Sequence, residues 1–119
     1  MKDRVHSELA AITAHDALEQ EHLRDALAWV ESCAPLFRIS KPAMPPKHLV
    51  SYFSLVADEH ILLVDHKNAG LWLPTGGHVE PDEDPRATVV RELKEELGID
   101  IRPDQVGAPR MVTVTETVG

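Results

Sequence analysis

A single cysteine, Cys33, gives this chain no partner for an intramolecular disulfide and fits a reducing compartment. Its plain role is that of a small apolar residue near a helix end. The sequence holds no apolar run of about 18 residues, the length a membrane-spanning helix needs, and no charged-then-apolar leader follows Met1. Basic charge is scarce as well. Twelve Lys and Arg against 20 Asp and Glu leave a net charge of −8, which argues against a nucleic-acid backbone or an anionic membrane as partner. No internal repeat or low-complexity tract occurs. These absences give the expectation of a soluble, cytoplasmic protein. What is present is ordinary for a globular chain: 43% hydrophobic and 27% charged residues over 119 positions, enough for one modest core.

Residues 1–34 read as helical. Val5, Leu9 and Ile12 share one face, and Leu23, Ala26, Leu27 and Val30 form a cleaner stripe. Thr13 with Asp16 is expected to open the second helix as a capping box, and Pro35 to close it. His6, His15 and His22 lack acidic or thiol partners at ligand spacing and are expected on the surface, with no metal role. Pro42, Pro45 and Pro46 make Lys41–Lys47 a stiff connector, neither helix nor central strand. It marks the expected boundary between a helical extension with its linker, 1–46, and a second unit, 47–119.

From His48 the apolar period changes to two. Leu49–Ala57 and His60–Asp65 read as an antiparallel hairpin turning at Asp58-Glu59. His66–Gly70 reads as a loop, and Leu71–Leu73 as a short strand ending at Pro74. Trp72 has two readings, a surface on which a nucleotide base stacks or a core residue between two leucines, and the second is the stronger. In Thr75-Gly76-Gly77 the paired glycines let the backbone approach a ligand closely. Asp100–Pro109 reads as a loop or irregular strand interrupted by Pro103 and Gly107, and Met111–Val118 as a strand.

The chain is organised around Gly77–Ile99. Asp84 suits a helix N-cap, Pro85 the first helical position and Gly98 a left-handed ending. Val90, Leu93 and Leu97 form an apolar stripe that should face a core. On the other face Glu92, Glu95 and Glu96 stand at i, i+3 and i+4. Like charges at that spacing repel by roughly 0.2–0.5 kcal/mol per pair. Glu95 and Glu96 also lie in the last turn, where the helix dipole disfavours negative charge. A solvated acidic face is one explanation. Hard oxygen donors crowded on a rigid element also suit Mg²⁺ or Mn²⁺.

Gly77, Glu83, Arg91-Glu92-Leu93, Glu95-Glu96 and Gly98-Ile99 together decide between these explanations, since a chance match to that pattern is about one in a hundred million at average residue frequencies. The stretch resembles the signature box of Nudix hydrolases, without a mismatch. The resemblance implies an α/β fold, a Nudix-type α/β/α sandwich around a mixed sheet, here preceded by a helical extension. It implies Mg²⁺-dependent cleavage of a diphosphate bond in a nucleoside diphosphate linked to another group, with Mn²⁺ as an alternative metal. A nucleoside triphosphate pyrophosphohydrolase is the leading form. By the same resemblance Glu95 and Glu96 are metal ligands, Glu92 is a ligand or the general base, and the Gly76 carbonyl is a further ligand. Gly77, Glu83, Arg91 and Gly98 are implied as structural support, with Glu83 pairing with Arg91. His78 beside the glycines carries no catalytic role. Trp72 and Glu116 are weaker candidates for substrate contact, Glu116 also for the base. A divalent metal between carboxylates and phosphates would relieve the repulsion that so acidic a chain presents to its substrate.

Measured against that family, the stretch from His48 reads as about half of a domain, so its C-terminal part is expected to be lacking. A fragment, N-terminal helices covering the exposed face, or a second copy completing the sheet would each account for this. A shortened protein that forms a homodimer is the favoured reading. A catalytically weak or inactive nucleotide-binding or sensor module is the alternative function. The set of three glutamates speaks against that alternative, and the shortened domain speaks for it.

Overall fold

The computed structural model describes residues 1–40, 44–66 and 70–116, with backbone alone at 64–66. Two helices, α1 (Lys2–Ala10) and α2 (Ala17–Glu31), pack together through the stripes their sequences carry. Val5 and Leu9 meet Leu23, Ala26 and Val30, with Leu36 closing the cluster and Ile12 and Leu27 at its margin. Fully burying an aliphatic side chain of this kind contributes roughly 1.5–3 kcal/mol, so this cluster holds the N-terminal third in place.

Three expectations for this region need correction. The cap of α2 is Asp16, not Thr13: Asp16 Oδ1 accepts the Glu19 N–H at 2.8 Å, and the Glu19 carboxylate reaches back to the His15 N–H. A carboxylate is at least as good a cap as a hydroxyl, and Glu19 sits where a capping box wants it. The helix also stops four residues short of Pro35, because Cys33 turns to φ 62°. Cys33 is exposed there and accepts a 3.0 Å hydrogen bond from Lys2 Nζ. Third, His22 is half-buried, and its Nδ1 accepts the Val114 N–H at 3.0 Å.

Six short strands follow: β1 (Val50–Phe53), β2 (Val56–Ala57), β3 (His60–Ile61), β4 (Val64–His66), β5 (Leu71–Leu73) and β6 (Thr75–His78). They pair as three antiparallel couples, β1 with β6, β2 with β3 and β4 with β5. The expected hairpin at Asp58-Glu59 is present as β2–β3, both turn residues taking positive φ as a two-residue hairpin loop requires. The longer part of Leu49–Ala57 has a different partner. Val50–Phe53 pairs with Thr75–His78, the stretch whose paired glycines are expected to let the backbone approach closely. With strands of two to four residues, no pairing among the described residues joins these couples into one mixed sheet.

The helix α3 (Pro85–Leu97) has the ends its sequence marks. Asp84 Oδ1 accepts the Arg86 N–H at 2.9 Å, Pro85 takes the first turn, and Gly98 ends the helix at φ 67°. Its buried side is rotated from the expected stripe. Thr88, Val89, Glu92 and Leu93 are buried, while Val90 and Leu97 are half-buried. A 3₁₀ turn (Pro103–Gln105) follows, and Met111–Glu116 forms no strand, contrary to expectation. Val112 and Val114 instead pack on the α1–α2 core, so that their alternation serves a one-sided contact and not a ladder. Thr117 and Val118 of the expected strand, residues 67–69 of the expected loop and residues 41–43 of the connector lie outside the described residues. No helix among the described residues is long and apolar enough to cross a membrane.

Candidate active site

The β1–β6 register sets Ser51 opposite Gly77 and Tyr52 opposite Gly76. Alternation along a strand sends these pairs to opposite faces. The Ser51–Gly77 face meets α3: Ser51 Oγ donates to the Pro85 carbonyl at 3.2 Å, and the Glu92 carboxylate lies against the Gly77 Cα. A methyl at Gly77 would overlap Glu92, standing 2.7 Å from its Cγ. The glycine is therefore the space that Glu92 occupies. At Gly76 a would-be methyl meets both backbone and side chain, standing 2.6 Å from Ser51 O, 2.7 Å from the Tyr52 ring carbon Cδ1 and 3.1 Å from Tyr52 Cα.

Arg91 is the centre of the charge arrangement. Its Nε and Nη2 donate to the two oxygens of Glu83 at 2.9 and 3.0 Å, in the paired geometry that suits guanidinium and carboxylate. Nη2 also donates to the His78 carbonyl at 3.0 Å. Nη1 donates to Glu92 Oε1 at 2.9 Å and lies 3.5 Å from Glu95 Oε2 and 3.7 Å from Glu80 Oε1. Glu83 further accepts the Thr88 hydroxyl at 2.7 Å and the Glu80 N–H at 3.1 Å. The loop before α3 is thereby fixed to the middle of the helix.

These surroundings set the titrations. Burial would raise Glu83, but the hydrogen bonds from Arg91, Thr88 and Glu80 outweigh it and hold its carboxyl down at about 2. The same contact with Glu83 raises Arg91 further above its already high value. For Glu92 burial wins, pushing the carboxyl above its usual range against the pull of Arg91. His78 is held below its usual range by burial, Arg38 and His48, whose Nε2 lies 3.0 Å from His78 Nδ1.

The structure thus brings Gly77, Glu83, Arg91, Glu92 and Glu95 together. Glu96 is exposed on the same end of α3, and Gly98 serves only that helix's ending. Trp72 is 67% exposed on β5, which overturns its core reading. Its neighbour Leu71 is exposed as well, and among the described side chains none of the β4–β5 couple belongs to the buried core cluster. Glu116 is exposed in the irregular segment after the 3₁₀ turn. Sequence reasoning missed Thr88, fully buried with its hydroxyl on Glu83; its place one turn before Glu92 was the available signal. It also missed that Glu92 is a buried member of the carboxylate set.

No group of three or more His, Cys, Asp and Glu among the described residues is gathered closely enough to hold a metal ion as it stands. Glu92 and Glu95 point to Arg91 instead. The donor chemistry nonetheless fits Mg²⁺ or Mn²⁺, since carboxylate oxygens are hard ligands, Glu96 is exposed, and Glu95 is exposed with only a long 3.5 Å contact to Arg91.

Known proteins bear on what this arrangement does. The chain is 66% identical over 32 residues to a CTP pyrophosphohydrolase of Escherichia coli (strain K12), covering 27% of this chain and 24% of that protein. It is 38% identical over 64 residues to a MutT-like protein of Streptomyces ambofaciens, covering 52% of this chain and 42% of the relative. A third relative, the m7GpppN-mRNA hydrolase NUDT17 of Danio rerio, is 42% identical over 48 residues, 40% of this chain and 16% of that protein. The chain thus spans less than half the length of each of these relatives. No solved structure matches. A family model described as the NUDIX domain matches residues 47–116, more than half of the sequence, and the chain belongs to the Nudix family.

Proposed function

We propose that this protein hydrolyses a diphosphate bond in a nucleotide-type substrate, with Mg²⁺ as the working metal and Mn²⁺ as a substitute. The leading form is a nucleoside triphosphate pyrophosphohydrolase. The observation that carries the reading is the seating of Glu92 against Gly77, under the Arg91 guanidinium and beside Glu95. Glu92, Glu95 and Glu96, with the Gly76 carbonyl, would hold the metal. When bound, such a metal lowers the pKa of a water and offsets charge on phosphate oxygens. Arg91 fixes Glu92 and, through Glu83, the loop between β6 and α3. Glu92 is either one of these ligands or the general base that receives a proton from the attacking water. Trp72, exposed and aromatic, is available for a base. The division at residues 46 and 47, the α/β/α sandwich, the homodimer and the cytoplasmic location belong to the same proposal.

A second reading, a nucleotide-binding module without turnover, is favoured by one observation: Arg91 already occupies oxygens of Glu92 and Glu95. Phosphate release from nucleoside triphosphates, ADP-ribose and dinucleoside polyphosphates, with Mg²⁺ and with EDTA, separates the two. Metal-dependent release that Glu96→Gln abolishes without altering the fold supports the hydrolase. Retained activity in Glu96→Gln refutes the ligand assignment, and nucleotide binding without release supports the module.

A further inference from the structure

The helix α1 lies outside the residues matched by the family model, yet its polar face is committed to the first turn of α3. Arg4 and Glu8 project from α1 one turn apart. Glu8 accepts from the Arg86 guanidinium through both oxygens, Nε to Oε1 at 3.1 Å and Nη2 to Oε2 at 3.3 Å. The remaining Arg86 nitrogen, Nη1, donates to the Val106 carbonyl at 3.0 Å, tying in the segment beyond α3. Arg4 Nε binds Asp84 Oδ2, while Asp84 Oδ1 caps α3. Each oxygen of the cap thus has a separate task. The side chains of Glu8 and Arg86 are only 21% and 28% exposed, so this pair is less screened than a surface one, whereas Arg4 is 49% exposed and its pair with Asp84 is the weaker tie.

We infer that α1 is a brace that sets the position of the carboxylate helix, with Glu8 and Arg4 as positioning residues acting through Arg86 and Asp84. The other side of α1 is anchored by Val5 and Leu9 in the α1–α2 core, so the brace has a fixed footing. Glu92 lies six residues beyond Arg86, about 9 Å along the helix, so a tilt of roughly 5° at the first turn moves it by about 0.8 Å. That movement matters because Glu92 fills the space over Gly77 with no slack. The role rests on the proposed function for its metal consequence, and on geometry alone for its mechanical one.

Amide hydrogen exchange and Mn²⁺ titration of the full chain, for the parent protein, Glu8→Ala and Glu8→Arg/Arg86→Glu, test the brace. Glu8→Ala is expected to speed exchange in α3 and in β6 and to weaken Mn²⁺ binding about three- to tenfold, up to the lower bound for loss of an outer-shell partner. The charge-exchanged pair is expected to restore both. Faster exchange confined to α1, or Mn²⁺ affinity unchanged while Tm falls, would show a merely structural contact and overturn the inference. If the parent chain binds no Mn²⁺ and releases no phosphate, the metal-hydrolase reading fails, and exchange in β6 still decides the brace.

Discussion

Replacing Gly77 by alanine should produce an effect whose sign depends on residue 92. In the parent chain the new methyl overlaps the Glu92 carboxylate. The overlapped atoms are the far end of a flexible side chain, so the backbone need not move: Glu92 swings out. It then loses its 2.9 Å bond to Arg91, a charged hydrogen bond of the kind worth about 1.5–3 kcal/mol, and regains hydration that cancels part of the loss. A net destabilisation of about 1–2 kcal/mol follows. Gly77 does not occupy the left-handed region, so alanine suits its backbone. Once Glu92 is gone, only the gain from a stiffer unfolded chain remains, about 0.4–1 kcal/mol. Gly77→Ala is therefore destabilising in the parent and neutral or stabilising in Glu92→Ala. Urea denaturation of all four proteins closes the double-mutant cycle, and a coupling above about 1 kcal/mol is expected. Additivity within about 0.5 kcal/mol would refute the seating of Glu92 on Gly77. Gly76→Ala provides the contrast: its methyl meets the Ser51 carbonyl oxygen and the Tyr52 ring and Cα, none of them part of Glu92, so its cost persists whatever stands at 92.

Glu83 gives a pH test. Its folded pKa, about 2, lies below the ordinary 4.5, so its stabilisation is complete above pH 4.5 and is lost as pH falls towards 2. About 2 kcal/mol should be gone by pH 3. Urea midpoints at pH 7 and pH 3 should therefore converge in Glu83→Gln relative to the parent, and parallel losses in both would refute the pairing. Trp72→Ala should leave stability within about 0.5 kcal/mol, as for an exposed side chain; a loss of about 3 kcal/mol or more in the same assay would reinstate the core reading.

The elements with local instructions were legible, and those defined by distant partners were not. Asp84, Pro85 and Gly98 mark the ends of α3 because capping acts within one turn. The stripes of α1 and α2 could be read because each helix meets one partner face. The sequence offers Gly76 and Gly77 only as a place of close backbone approach, because glycine has low strand propensity; their pairing with Ser51 and Tyr52 is set by a strand more than twenty residues away. Alternation in Met111–Glu116 suggested a strand, although one apolar face is equally served by packing Val112 and Val114 on helices. The carboxylate spacing was visible in sequence, but the burial of Glu92 was not, because helical periodicity cannot say which neighbour will be a glycine.

Arg91 explains how α3 tolerates its carboxylates and also why that tolerance is incomplete. One guanidinium faces Glu80, Glu83, Glu92 and Glu95 within 2.9–3.7 Å. Glu83 takes two of its N–H groups in the paired geometry and is effectively neutralised, as its low pKa shows. Glu92 receives a single bond from Nη1, and burial still raises its pKa. Glu95 is 3.5 Å away and Glu96 has solvent. Positive charge is thus supplied fully on the loop side of α3 and deficiently towards its C-terminal end, where the helix dipole adds to the deficit. If stability alone had set this surface, a second basic residue beside Glu95 and Glu96 would remove the deficit. Lys94 is the basic residue in that turn, and it pairs with Asp100 at 2.8 Å. The unmet negative charge is concentrated at the three residues proposed as metal ligands, which is where a divalent cation would recover electrostatic free energy.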